Sequence, residues 1–194
     1  MPVFDFDKIV ILDTEWTSWP GFRESRWSMP GKYREIVQIG AVKLDARDNF
    51  SEIASFETLV RPRRNPVLSE YFIELTGITQ KEVDMAGVDF LGALLSFSSF
   101  VDGDIGMIAS FGGDEVIIEE NCRLHGIPNP FDPSIFTNIA PLLGRAVGCD
   151  ELTFMSSDIP ELFDFEPPGQ AHRAVDDTRC IAEALRILRQ RGEI

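Results

Sequence analysis

Two acidic side chains follow directly after an apolar run near the start of the chain. Residues 9–12 read IVIL, which is typical of a strand buried on both faces, and Asp13 and Glu15 come next. Because side chains alternate along a strand, both carboxylates lie on one face, whereas Thr14 points to the other. Two like charges side by side favour a bound cation, although a pair of solvated acids at a strand end gives the same pattern.

A third acid, Asp114, follows a second apolar run. Residues 105–111 read IGMIASF, and Gly112 and Gly113 then turn the chain into a predicted helix. An aspartate at this point commonly caps the helix, so an N-cap role for Asp114 stays open. If the two apolar strands are neighbours, Asp114 emerges at the same sheet edge as Asp13, where open α/β sheets bind their ligands.

A histidine and a fourth acid lie close together in the segment HRAVDDT, as His172 and Asp177. On one ideal helix, five residues would place these side chains about 140° apart, on different faces. We therefore expect His172 on the loop after the Pro-Pro-Gly break and Asp177 in the first turn of the last helix, so that both reach one cleft. Asp176 and Asp177 also suit a helix N-terminus for electrostatic reasons, which is the alternative.

Together these residues meet the requirements of a metal-dependent hydrolase. Carboxylates are hard oxygen ligands, and without a supporting cysteine they favour Mg²⁺ or Mn²⁺ over zinc. Two such ions can hold the attacking water and the leaving oxygen of a phosphodiester, while a histidine takes the proton of the water. The candidate catalytic set is Asp13, Glu15, Asp114, His172 and Asp177.

The elements that must position this set follow from hydrophobic patterning. Three closely spaced strands are predicted first, and helices then alternate with further strands, which indicates an α/β layered sandwich with a central mixed sheet. We expect one domain over residues 1–194. The predicted strands cover 9–12, 35–44, 50–60, 105–111 and 135–137, and the predicted helices cover 68–77, 88–100, 114–124, 157–163 and 174–191, with others beginning near 78 and ending near 147.

Composition excludes several classes of protein. The 194 residues carry a formal net charge of −14, which argues against a general nucleic-acid coat protein. The longest uncharged apolar stretch, residues 90–101, is too short and too polar to span a bilayer, so no membrane partner is expected. The three cysteines are far apart and the first residues do not resemble a signal peptide, which predicts reduced thiols in a cytoplasmic protein.

The motifs DTE, SFGGDE and HRAVDDT, in this order and spacing, resemble those of the DEDDh 3′-to-5′ exonucleases, the group of the DnaQ proofreading subunit and RNase T. The segments EIVQIGAV and VRPRRNPVLSEYFIELTGITQKEVDMA are more similar to the histone-mRNA 3′ exonuclease and KapD-like subgroup. The resemblance covers about residues 8–190. It implies an RNase H-like three-layer fold that acts on the 3′ end of a single strand, RNA in preference to DNA, and releases nucleoside 5′-monophosphates.

The resemblance also implies a role for each candidate residue. Asp13 would bridge two divalent ions, Glu15 and Asp177 would complete the site of the first ion, and Asp114 would support the second. His172 would be the general base. Asp176 matches no metal-ligand position in this family.

The main departure from the family pattern is a long insert over residues 16–34. It contains all three tryptophans of the chain and four basic side chains against one acid, Glu24. Aromatic faces beside cations bind single strands, by stacking on bases and by contact with phosphates. We predict that the insert cradles the 3′ end of the substrate; packing against its own domain or a partner is the alternative. The predicted substrate-binding residues are Trp16, Trp19, Arg23, Arg26 and Trp27.

Two other functions stay open from the sequence. A catalytically silent protein could keep the fold and regulate a partner, since a fold does not guarantee activity. An oligoribonuclease-like enzyme would instead act on very short strands. The sequence identifies no protein partner.

Overall fold

A computed structural model describes residues 6–103, 105–149 and 154–194. The predicted single domain of residues 1–194 therefore includes a few positions outside the described residues. Within these ranges, five strands form one sheet: β1 (Lys8–Trp16), β2 (Ile36–Asp45), β3 (Ser51–Leu59), β4 (Ile105–Ser110) and β5 (Phe136–Asn138). The α-helices are α1 (Glu70–Thr76), α2 (Gln80–Ala86), α3 (Phe90–Val101), α4 (Asp114–His125), α5 (Ala140–Val147), α6 (Ile159–Phe163) and α7 (Ala174–Gln190).

The sheet is mixed and has the strand order β3-β2-β1-β4-β5. The first three strands form an antiparallel meander, and β4 and β5 then add in parallel beside β1. This arrangement confirms the predicted α/β sandwich, and it meets the condition under which Asp114 shares an edge with Asp13, since β1 and β4 are neighbours. Because β1 and β4 are parallel, their carboxyl ends meet at one edge, which is where β1 delivers its two acids.

Helices cover both faces of the sheet. Ile9 and Ile11 point into the core beneath α7, which also contains Leu185, whereas Val10 and Leu12 point into the core beneath α3 and α4. This alternation explains why residues 9–12 are continuously apolar: each face of β1 meets a helical layer. Within the part of the chain that the structure describes, no helix is long and apolar enough to span a bilayer.

Helix boundaries follow local capping signals. Ser69 caps α1 through a hydrogen bond from the Phe72 N–H, and Gly77 ends it in the left-handed conformation. Thr79 and Glu82 form a capping box at the start of α2. The predicted helix over 157–163 is a 3₁₀ turn, Ser156–Asp158, followed by the short α6.

Candidate active site

The end of β1 divides its polar side chains between the two layers. Asp13 and Glu15 lie on the face that carries Ile9 and Ile11, and this face packs against α7. Thr14 is buried on the opposite face, toward α4. The two acids of β1 share one face, as the sequence predicts, and the structure shows that this face meets α7.

Two residues of β2 allow the start of α7 to approach this edge. Gly40 lies opposite Asp13 in the β1–β2 register, and a Cβ at Gly40 would come within 2.3 Å of the backbone nitrogen of Val175. Only glycine admits a backbone at that separation. Gln38, opposite Glu15, is fully buried, and its Oε1 accepts a hydrogen bond of 2.9 Å from the Ala174 N–H. The first turn of α7 is thereby fixed beside both acids.

His172 precedes α7 in the left-handed conformation, with φ of 60°. Its backbone N–H donates to Asp177 Oδ2 at 3.0 Å, so the histidine loop and the first turn of the helix are joined. This arrangement confirms the expectation that His172 lies on the loop and Asp177 on the helix. Glu15, His172 and Asp177 each offer one ligand atom, and these three atoms lie within 4.8 Å of one another. At this separation they could hold a metal ion.

Asp114 reaches the same edge from the other layer. Gly113, with Gly112 at φ of 112° before it, is the N-cap of α4, and Asp114 is the first helical residue; the N-cap alternative for Asp114 is therefore wrong. The Thr14 hydroxyl instead donates to Asp114 Oδ1 at 2.5 Å. Thr14, whose side chain faces away from Asp13, thus orients the carboxylate of Asp114.

All four site carboxylates have raised pKa values, with burial as the largest cause in each. Burial is the largest cause of the raised pKa of Asp13, and the charges of Asp114, Glu15 and Asp177 add to it. Burial and Asp177 likewise raise the pKa of Glu15 well above its usual value. Burial raises the pKa of both Asp114 and Asp177 to about 7. A bound cation would relieve this repulsion, so the chemistry of the donor set fits a divalent metal.

His172 differs from the acids, since burial lowers its pKa below the usual value. The imidazole is therefore neutral at pH 7 and able to accept a proton.

Two adjoining cavities open onto this edge. The larger, of about 560 Å³, is lined by Asp13, Glu15, His172 and Asp177, and we call it the catalytic cavity. The second, of about 350 Å³, is lined by Asp114 and Phe111 among others. Asp13, Thr14 and Trp16 line both cavities. Asp13 therefore stands at the junction between the cavity of Glu15 and Asp177 and the cavity of Asp114.

The insert forms one wall of the catalytic cavity. Of the predicted substrate-binding residues, Trp16, Trp19, Arg23 and Trp27 line it, whereas Arg26 is exposed and does not. The rings also pack on one another edge to face: Trp16 and Trp27 have centroids 4.8 Å apart, and Trp27 and Phe22 have centroids 5.4 Å apart. Phe22 is only 1% exposed. The insert thus packs on itself as an aromatic cluster and also lines the cavity. Its structure is compatible with both the substrate-binding and the packing interpretation of its sequence.

Several residues of this site carry no clear signal in the sequence. Tyr71 and Leu75 of α1 and Met155 also line the catalytic cavity. Helical spacing places Tyr71 and Leu75 on one face of α1, yet only the tertiary structure shows that this face meets the cavity. Arg23 donates to the sulfur of Met155 at 3.0 Å, across 132 residues of sequence.

Comparison with known proteins identifies the family. The family model described as exonuclease, of the RNase T type, matches residues 10–185. The chain belongs to the RNase T exonuclease family. Its acids and histidine have the DEDDh order, and its five-stranded sheet is the RNase H-like fold of that group.

Individual relatives agree with this assignment. The nuclease domain of 3′hExo, described as a DEDDh family member bound to rAMP, superposes with a TM-score of 0.84 at 24% identity and covers 97% of this chain and 94% of that one. The probable 3′-5′ exonuclease KapD of Bacillus subtilis is 25% identical over 95% of this chain and 85% of its own. ERI1 exoribonuclease 2 of Xenopus laevis is 34% identical over 50% of this chain, a match that covers only 13% of that protein.

Proposed function

We propose that the chain is a metal-dependent 3′-5′ exonuclease that removes nucleotides from the 3′ end of a single strand, RNA in preference to DNA. The observation that carries the proposal is the convergence of Glu15, His172 and Asp177 within 4.8 Å in a cavity that Asp13 also lines. The preference for RNA is supported by relatives that are named exoribonucleases.

Two divalent cations, Mg²⁺ or Mn²⁺, fit the carboxylates. Glu15 and Asp177 would hold one, and Asp114 would support the other from the adjoining cavity. Asp13 lines both cavities, which supports its role as the shared ligand. When bound, the ions supply positive charge to the oxygens of the scissile phosphate.

His172 would act as the general base. Burial holds its pKa below the usual value, so a ring nitrogen is free to take a proton from the attacking water. The water oxygen forms a new bond to phosphorus, and the bond from phosphorus to the 3′ oxygen of the preceding nucleotide breaks. The leaving 3′ oxygen takes a proton from solvent water, so the shortened strand keeps a 3′ hydroxyl, and a nucleoside 5′-monophosphate leaves.

The insert would hold the terminal nucleotide. The catalytic cavity has a volume in the range of small-ligand sites, and its wall offers the rings of Trp16, Trp19 and Trp27 beside Arg23. The nucleotide in the 3′hExo complex supports a nucleotide in this cavity. Arg26 lies outside the cavity wall, so we assign it no contact with the terminal nucleotide.

The test is incubation of the protein with 5′-end-labelled single-stranded RNA and DNA, with Mn²⁺, Mg²⁺ or EDTA. We expect stepwise shortening with either metal, release of 5′-monophosphates and no cleavage in EDTA. Shortening of a trinucleotide but not of longer strands would favour an oligoribonuclease. The absence of shortening with every metal would contradict the enzymatic proposal and leave a silent binding protein.

The insert has its own test. Trp19→Ala and Trp27→Ala should raise KM for a single-stranded substrate. If KM is unchanged in both variants, the insert does not cradle the strand.

A further inference from the structure

We propose that a basic surface beside the active site binds the strand on the 5′ side of the scissile bond. We call it the upstream surface and define it by Tyr33, Arg34, Arg63 and Arg64. The proposal rests on the proposed exonuclease function, and it adds a second binding site and a direction for the strand.

Cavities that share residues lead from the carboxylates to this surface. The catalytic cavity shares Asp13 and Trp16 with the cavity of Asp114, and that cavity in turn contains Arg34. Arg34 also lines a third cavity of about 380 Å³, together with Tyr33 and Arg123. Residues shared between neighbouring cavities therefore place Arg34 and Tyr33, two members of the upstream surface, next to the cavities of the carboxylates.

A buried carboxylate holds the loop of the upstream surface in place. Glu35 is 1% exposed and accepts hydrogen bonds of 2.6–2.9 Å from the backbone N–H groups of Arg63, Arg64 and Asn65. The Asn65 side chain accepts from the Tyr33 N–H and donates to the Gly31 carbonyl. The arginine loop is thereby tied to the end of the insert, so its side chains are organised before a ligand arrives.

The charges and the ring on this surface fit a single strand. Arg63 and Arg64 are exposed, and within the described ranges neither forms an ion pair. The Arg64 guanidinium lies 6.0 Å from the centroid of the Tyr33 ring, which is 43% exposed. Arg34 pairs with Glu120, so the net positive charge comes from the loop. Unpaired guanidinium groups beside an exposed ring offer phosphate contacts and a stacking face.

The experiment compares oligouridylates of 3 and 12 nucleotides, as substrates and as fluorescent ligands in EDTA. The wild type should cleave the 12-mer with a kcat/KM at least 10-fold above that for the 3-mer. The Arg63→Glu/Arg64→Glu variant should lose most of this advantage, with a change below threefold on the 3-mer. In EDTA the double variant should bind the 12-mer more weakly than the wild type does. A plot of log binding constant against log salt concentration should be less steep by about 1.4, because each of the two lost phosphate contacts on a single strand contributes about 0.7.

The control is Arg47→Glu, a charge reversal in the turn between β2 and β3, at the far end of β2 from Glu35. It should keep the wild-type length preference. Thermal unfolding and the milder Arg63→Gln/Arg64→Gln variant show whether the loop is still folded. The proposed role of the upstream surface, and that role alone, would be overturned by either of two results. One is a wild-type kcat/KM that is equal for both lengths, and the other is a double variant that loses the same factor on both lengths. No cleavage of either length by the wild type would overturn the proposed function itself.

Discussion

Glu35 and the four carboxylates of the site are all buried or partly buried near the same sheet, but their surroundings differ. Glu35, just before β2, is surrounded by backbone N–H donors that satisfy both of its oxygens. The site carboxylates, which are Asp13, Glu15, Asp114 and Asp177, face one another instead, and their pKa values are raised. Burial alone therefore does not identify a functional acid. What distinguishes the site is charge that the protein leaves uncompensated, which a cation can neutralise.

The largest effect is expected from Asp13→Asn, which removes charge at the junction of the two cavities. We expect kcat/KM to fall by about four orders of magnitude, because positive charge at the phosphate supplies several kcal/mol of transition-state stabilisation. The measurement is the rate of shortening of a labelled strand with Mn²⁺. Activity within 10-fold of the wild type would exclude Asp13 as a shared ligand.

His172→Ala should lower kcat by about 10²–10⁴-fold, the usual contribution of a positioned base. Metal binding should persist, because the four carboxylates remain. The two measurements are single-turnover cleavage and the rise in unfolding temperature with added Mn²⁺. If the variant no longer responds to Mn²⁺, His172 is a ligand and not the base.

Replacing an acid by its amide should have opposite effects in the two regions. The pKa of Asp114 is about 7 in the folded protein against about 3.8 when unfolded, so the folded state holds its proton more tightly. The contribution of Asp114 to the free energy of unfolding is therefore fully present below pH 4 and lost as pH rises to 7. In EDTA at pH 8, Asp114→Asn should be about 2–4 kcal/mol more stable than the wild type, and at pH 4 the difference should vanish.

Glu35→Gln provides the other half of this comparison. It should destabilise the protein by about 2–3 kcal/mol at neutral pH, because an amide NH₂ group would face backbone donors that need an acceptor. Chemical denaturation of both variants, with and without Mg²⁺, gives the measurement. Added metal should raise the stability of the wild type more than that of Asp114→Asn. A stabilising Glu35→Gln would contradict the structural role of this carboxylate.

The smallest effect is expected from Thr14→Val, which keeps the shape and removes the hydroxyl that donates to Asp114. We expect a loss of about 10-fold in kcat, equivalent to one hydrogen bond to a charged group. Thr14→Ser should restore the wild-type rate. If Thr14→Ser is as slow as Thr14→Val, the methyl group and not the hydroxyl matters.

Much of the fold could be predicted because its signals are local. The strand at 9–12 has apolar residues on both faces, and Gly77 and Gly126 end their helices as left-handed residues. The separation of His172 and Asp177 likewise predicts a loop and a first helical turn, because helical geometry excludes a common face. Cytoplasmic location stays a prediction, as do the assigned roles of the site residues.

What the sequence by itself determined is the set of chemical groups and the elements that carry them: carboxylates at the ends of two strands, a histidine before a helix, and an aromatic insert. Only the tertiary structure decided which groups meet. The contacts of Thr14 with Asp114, of Glu35 with the arginine loop and of Gln38 with Ala174 join residues 100, 28 and 136 positions apart. Such pairings depend on strand order and on the close approach at Gly40, and local propensity carries no information about either.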